Sequence, residues 1–300
     1  MNFINKIIVS EYRFKYFIFS AVSGILLALS FQKINFFWLA WIAFIPLIYC
    51  ILKNNFLNSV LYSFIAGFVF NFIAAYWMLP FLLNNAGAVK DSLIVSFCAW
   101  LYLSLYFVVW AVCVNFIKKY FHTMTVVLFA SCFWVILEFI RTYIFTGLPW
   151  NLIGYSQTSF LHIIQFADIT GVYGLSFAVI LINMLLCYFI CSGLKKYFFY
   201  AVFIFVFLLS YGFWRIGFFP QGAVQEITVA VAQPNIAQYK KWDRHYKDNI
   251  IKNLYSSSEF FKKPDIDLLV YPETVLPRRL EEDEEIQKLV HEISSNAVLT

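Results

Sequence analysis

Tyr197–Phe219, YFFYAVFIFVFLLSYGFWRIGFF, is followed six residues later by Glu226–Ile236, EITVAVAQPNI, and the change between them decides the fold. The first stretch is apolar and aromatic with Arg215 near its end, and about 20 such residues suffice to span a bilayer as a helix. The second is short, β-branched and apolar, the pattern of a buried strand. The rest of the chain divides at the same place. Residues 1–225 hold 12 Lys+Arg and 4 Asp+Glu, net +8, whereas residues 226–300 hold 10 and 13, net −3. Overall 62% of residues are hydrophobic, 21% aromatic and only 13% charged, with a mean hydropathy of +0.73. Soluble domains run about 45–50% apolar and about 25% charged. A disordered chain, a disulfide scaffold and a soluble two-domain enzyme are excluded. The expected layout is a transmembrane helical domain over 1–225 and a water-facing segment over 226–300.

Further apolar stretches of spanning length lie at 14–31, 36–52, 57–79, 92–117, 122–144 and 165–190, giving about seven spans with 197–219. The first is too aromatic, and too far from a small-residue cleavage site, for a removable signal peptide. Breaks fall at Lys33, Lys53, Pro80 with Asn84-Asn85, Lys118-Lys119, Gly147-Leu148-Pro149 and Lys195-Lys196. One side of the membrane collects Lys6, Arg13, Lys15, Lys53, Lys118, Lys119, Lys195 and Lys196. The other collects Lys33, Lys90, Arg141 and Arg215. The positive-inside bias places the N-terminus in the cytoplasm and 226–300 on the extracytoplasmic side. The positive charges of 1–225 stand singly or in pairs between apolar runs, so nucleic acid is not a partner. Cys50, Cys98, Cys113, Cys132, Cys187 and Cys191 all fall inside those runs. They read as small hydrophobes, and neither a disulfide nor a metal site is expected.

Residues 226–300 alternate between strand and helix patterns. Asp267–Tyr271, DLLVY, is a second short apolar run. Asp243–Lys262 carries Ile251, Leu254 and Tyr255 at helical spacing, and 281–296 opens with five acids that suit the positive end of a helix dipole. Ala297–Thr300 reads as the opening of a third strand. A β-α-β-α-β order implies an α/β sheet.

Glu273, in Tyr271-Pro272-Glu273-Thr274, directly follows an apolar strand, and open α/β sheets carry their sites at the carboxyl ends of strands. It reads either as a general base or as a surface glutamate capping a loop. Trp242, in Lys240-Lys241-Trp242-Asp243, is a helix-packing or interfacial aromatic, or part of a site. Glu138 and Arg141 lie three apart on the fifth span, as an internal salt bridge or as functional groups. Asp168 has the same two readings. His122, His162, His245 and His291 are scattered and read as non-catalytic. The stretch 146–157, TGLPWNLIGYSQ, mixes Gly, Pro and Trp150, and forms an interfacial loop or a wall of a lipid-accessible site.

TGLPWNLIGYSQ (146–157), ADITGVYGLSF (167–177), VAQPNIAQYKKWD (231–243) and LLVYPETVLP (268–277) together, in order and spacing, resemble the bacterial apolipoprotein N-acyltransferases. These form the membrane branch of the nitrilase superfamily. The resemblance implies a multi-pass bundle followed by the N-terminal part of an α/β nitrilase-like sandwich, in the bacterial inner membrane with the C-terminal segment periplasmic. It implies transfer of an acyl chain from a membrane phospholipid, through a cysteine thioester, to the N-terminal diacylglyceryl-cysteine of an apolipoprotein. No cofactor or metal is implied. Glu273 matches the family's general base, and Trp242 the tryptophan at the site entrance. Trp150 is a substrate-contact candidate. The family's lysine and cysteine have no counterpart in 226–300, so the chain is expected to be truncated within the nitrilase domain. The alternative to a divided enzyme is an inactive membrane remnant that at most binds lipid or lipoprotein.

Overall fold

The structure is a computed structural model that describes residues 2–31, 34–85, 88–144, 147–218, 226–236, 241, 244–260, 266–273, 275–276 and 283–295. The chain divides into two compact units, Met1–Phe219 and Pro220–Thr300.

The first unit is helical. Helix α1 (Asn2–Leu29) leads to a 3-10 turn at Phe37–Leu39, then α2 (Ala40–Ala43) and α3 (Ile45–Lys53). They are followed by α4 (Phe56–Ala74), α5 (Met78–Asn85), α6 (Val89–Ile117) and α7 (Thr123–Tyr143). A 3-10 turn at Ile153–Gln157 precedes α8 (Leu161–Ile164), α9 (Ala167–Ser192) and α10 (Lys195–Gly217). Helices α4, α6, α7, α9 and α10 are long and apolar enough to cross a membrane. The apolar portions Phe14–Leu29 and Phe37–Lys53 are shorter. Helix α9 is the most buried of the five long helices and α10 the least, with Phe199, Phe203 and Phe213 facing outward.

The second of these short segments is broken for a visible reason. Asn183 of α9 inserts its amide into the helical ladder: Phe44 N–H donates to Asn183 Oδ1 at 2.9 Å, and Asn183 Nδ2 donates to the Ala40 carbonyl at 2.9 Å. That carbonyl and that N–H would pair with each other in a regular helix. Pro46, in the first turn of α3, has no N–H to continue the ladder. A second break departs from the expected place. The chain leaves α4 after Ala74, and Pro80 lies inside the first turn of α5, where a missing N–H costs nothing. At the end of α3, Lys118 Nζ donates to the Ile51, Leu52 and Asn54 carbonyls, putting a cation on the negative end of the helix.

The core centres on Phe44, Phe107, Trp110 and Trp134, whose ring centroids lie 4.9–6.0 Å apart, mostly edge to face. Such pairs add about 0.5–1.5 kcal/mol each beyond area burial. A buried indole needs an acceptor. Trp110 finds the Ala130 carbonyl at 2.8 Å, and Trp134 finds Glu138 Oε1 at 2.9 Å.

The second unit has strand β1 (Val229–Val231), a 3-10 turn at Arg244–Tyr246, α11 (Lys247–Phe260), β2 (Leu268–Val270) and α12 (Glu284–Ser295). The strands pair in parallel with Val229 opposite Leu268 and Val231 opposite Val270, so α11 lies in the crossover between them. Both strands are shorter than the apolar runs that contain them. Pro234 removes a ladder donor, and Asn235 takes the left-handed conformation at φ 50°. Asp283 caps α12 by accepting from Ile286 N–H at 3.4 Å, and its other oxygen pairs with Lys247 Nζ at 2.8 Å. Ile250, Leu254 and Ile286 are buried, with Ile236, Tyr255 and Tyr271 packed around the first two. The expected third strand, Ala297–Thr300, lies outside the described residues.

Candidate functional site

In the second unit, the chain leaves β1 and β2 at the same end, and the two exits enclose a shallow pocket of about 200 Å³. Gln233, Asn235, Lys241, Pro272 and Glu273 are among its lining residues. The parallel register creates this position: Val231 and Val270 are partners, so residues two or three places beyond them meet. Ala232 N–H still donates to the Val270 carbonyl at 2.9 Å, holding the exits together before they diverge. Glu273 lies in the turn after β2 and is exposed. Its backbone carbonyl accepts from Lys241 Nζ at 3.4 Å. A free carboxylate on the rim of such a pocket can accept a proton from a nucleophile brought to it. Trp242 and Thr274 lie outside the described residues. Among the described residues no group of three or more His, Cys, Asp and Glu is arranged to hold a metal ion.

In the first unit, residues 147–158 form a segment, ending in the 3-10 turn, several of whose polar groups are tied to helices. Gly147 opens it at φ 86°, and a Cβ there would meet the Thr142 carbonyl at 2.3 Å. Leu148 N–H donates to the Arg141 carbonyl at 2.9 Å. Ile153 N–H donates to Glu138 Oε1 at 2.7 Å, and Gly154 N–H to Ser176 Oγ at 2.8 Å. Gly154 lies so close to α9 that a Cβ would meet the Val172 carbonyl at 2.3 Å. Gln157 accepts from Trp41 Nε1 at 3.0 Å and donates to the Phe37 carbonyl at 3.0 Å. Apolar surroundings demand this, because an unpaired backbone group costs several kcal/mol there.

Glu138 and Arg141 are each only 3% exposed. The Glu138 hydrogen bonds go to Trp134 and Ile153. Arg141 reaches the Asn151 carbonyl at 3.5 Å and stacks over the Tyr106 ring at 5.6 Å. The salt-bridge reading of this pair is therefore replaced by a shared anchoring of the segment after α7. Asp168 does form an ion pair, with Arg215 Nε at 2.7 Å, and accepts from Tyr211 at 2.7 Å. His162 packs against Phe213 at 4.0 Å between ring centroids.

Trp150 is 45% exposed and meets Trp77 edge to face at 4.9 Å. Beside this pair lies a cavity of about 500 Å³ with a largely apolar wall, formed by residues that include Ala28, Phe31, Ile73, Trp77, Asn151 and Tyr155. Sequence reasoning marked Trp150 and the segment around it. It missed Trp77, which is brought in by packing with a distant helix, and it gave Asn151 and Ser176 no role of their own although both lie in the stretches 146–157 and 167–177. Only Trp134 carried a local signal, one helical turn before Glu138.

Residues 23–185 match the family described as the apolipoprotein N-acyltransferase N-terminal domain. A Geobacter metallireducens protein named apolipoprotein N-acyltransferase is 31% identical over 94% of this chain and 56% of its own length. A Haemophilus influenzae protein of the same name is 28% identical over 92% of this chain and 54% of its own. One from Rickettsia bellii is 30% identical over 67% and 37%. The chain thus spans about half the length of the first two of these relatives.

Proposed function

The chain belongs to the apolipoprotein N-acyltransferase family, and from that premise we propose that it serves acyl transfer from a membrane phospholipid to an apolipoprotein. On this reading 1–225 is the membrane domain and crosses seven times, the five long helices being joined by Phe14–Leu29 and Phe37–Lys53. The N-terminus is cytoplasmic, and 226–300 begins a nitrilase-type sandwich in the periplasm. Reporter fusions at Lys118 and Lys240 are expected to report opposite sides of the membrane. Agreement between them contradicts the span count.

Glu273 is the general base. It takes the proton of a cysteine thiol, the thiolate attacks the phospholipid ester carbonyl, and the lysophospholipid leaves with the proton returned to its alkoxide. The α-amino group of the acceptor's diacylglyceryl-cysteine then attacks the thioester and releases the thiol. A thiol near pKa 8.5 is only a few per cent ionised at neutral pH, so the base matters. Trp242 stands at the entrance and Trp150 contacts the lipid. The observation that supports this reading best is the place of Glu273, on the pocket rim at the carboxyl ends of two parallel strands.

Residues 226–300 contain no cysteine, so the experiment supplies the nucleophile. Residues 1–300 are fused to the remaining length of the Geobacter metallireducens relative and incubated with acyl-labelled phospholipid. A hydroxylamine-labile label is expected, falling about 100-fold or more in Glu273→Gln. Equal labelling in Glu273→Gln leaves the residue a loop cap.

A further inference from the structure

Trp150 is held from both sides by the last turns of α7. Before it, Leu148 N–H is bound to the Arg141 carbonyl; after it, the Asn151 carbonyl meets the Arg141 guanidinium and Ile153 N–H meets Glu138. Two donors, the Trp134 indole and the Ile153 amide, converge on the single atom Glu138 Oε1. Glu138 Oε2 and Arg141 Nε are buried and make no hydrogen bond. Stability alone does not call for this arrangement, since well-packed apolar residues often replace buried charges at no loss. What a carboxylate adds is a short, directional, charge-assisted acceptor at a fixed point. That point is set by the aromatic core: Trp134 packs against Phe44, Phe107 and Trp110, and its indole orients the Glu138 side chain one turn further along α7.

We propose that Glu138 is a positioning residue for Trp150. It transmits the rigid geometry of the aromatic core to Ile153, and so fixes how the Trp150 ring stands against Trp77 beside the 500 Å³ cavity. Its relevance to acyl transfer rests on the reading of Trp150 as a lipid contact; the positioning itself does not.

The test uses the 300-residue chain labelled with 5-fluorotryptophan in phospholipid nanodiscs. Its nine tryptophans give separate fluorine resonances, and Trp150→Phe identifies one of them. Glu138→Gln keeps an oxygen where the two donors converge, whereas Glu138→Asp withdraws the carboxylate by about one C–C bond, ~1.5 Å. The Trp150 line is expected to shift or broaden at least twofold in Glu138→Asp and to stay in place in Glu138→Gln. This holds even though Gln leaves the buried Arg141 without a countercharge and lowers the melting temperature. A merely structural Glu138 predicts the reverse order, with Gln the more disruptive. Ile153→Pro removes the donor itself. Leu152 already has the extended ψ of 138° that suits a following proline, and proline is well tolerated at the first position of a helical turn. The same displacement of the Trp150 line is expected there. A stationary Trp150 line in Glu138→Asp or in Ile153→Pro overturns the proposal, whichever variant folds. Brominated phosphatidylcholine in the same discs separates the two readings. Loss of quenching in Trp150→Phe supports lipid contact, and its absence removes that contact without touching the positioning.

Discussion

Residues 147–158 and residues 271–273 both contain an aromatic and a proline outside regular helix or strand, yet they are held in opposite ways. The first has backbone N–H groups bound by Glu138 and Ser176, and Gln157 is bound by Trp41. The second carries an exposed glutamate in a turn whose backbone is reached by one lysine ammonium. The difference follows from the surroundings. In apolar packing backbone polar groups need internal partners, and partners fix position. In water a carboxylate needs none and stays available for a reactant. Glu138, which binds the first region, is thus tied to its neighbours, whereas the Glu273 side chain in the second is exposed.

The largest expected effect separates the two regions by stability. Glu138→Leu leaves two buried donors, the Trp134 indole and the Ile153 amide, without their acceptor, at about 1–3 kcal/mol each. Glu273→Leu alters an exposed turn and is expected to cost within about 0.5 kcal/mol. Thermal unfolding in detergent reads both. Similar losses at the two positions would erase the distinction.

Much of the helical layout is legible in the sequence because long apolar runs have few alternatives. The breaks are less so. Pro80 marks an end only if nothing stops the helix earlier, and here α4 ends at Ala74. The interruption after Ala43 depends on Asn183, 139 residues from Phe44, and no local pattern announces that contact. Asp168 pairs with Arg215 across 47 residues for the same reason. The two strands of the second unit read clearly, though Pro234 and Asn235 shorten the first. The position of Glu273 in the turn after a strand is legible because the apolar run DLLVY ends just before it. The anchoring role of Glu138 is not, since its partners Ile153 and Trp134 acquire meaning only once the segment after α7 folds back.

A smaller effect sharpens the contrast within the first region. Trp150→Ala removes one edge-to-face pair, worth about 0.5–1.5 kcal/mol beyond burial. Because the segment is tied by its backbone, Trp77→Ala is expected to cost a similar amount. Loss of expression in Trp150→Ala would instead make the ring part of the packed core.

Mass spectrometry of a lipoprotein's N-terminal peptide decides whether the exposed glutamate serves chemistry. The chain, fused to the remaining length of the Geobacter metallireducens relative, is expressed in a bacterium depleted of its own N-acyltransferase. The expected peptide carries a third acyl chain on the α-amino group of its diacylglyceryl-cysteine, and loses it when Glu273 is changed to Gln. A peptide that stays diacylated while the fusion accumulates in the membrane, or one fully acylated by Glu273→Gln, contradicts the assignment.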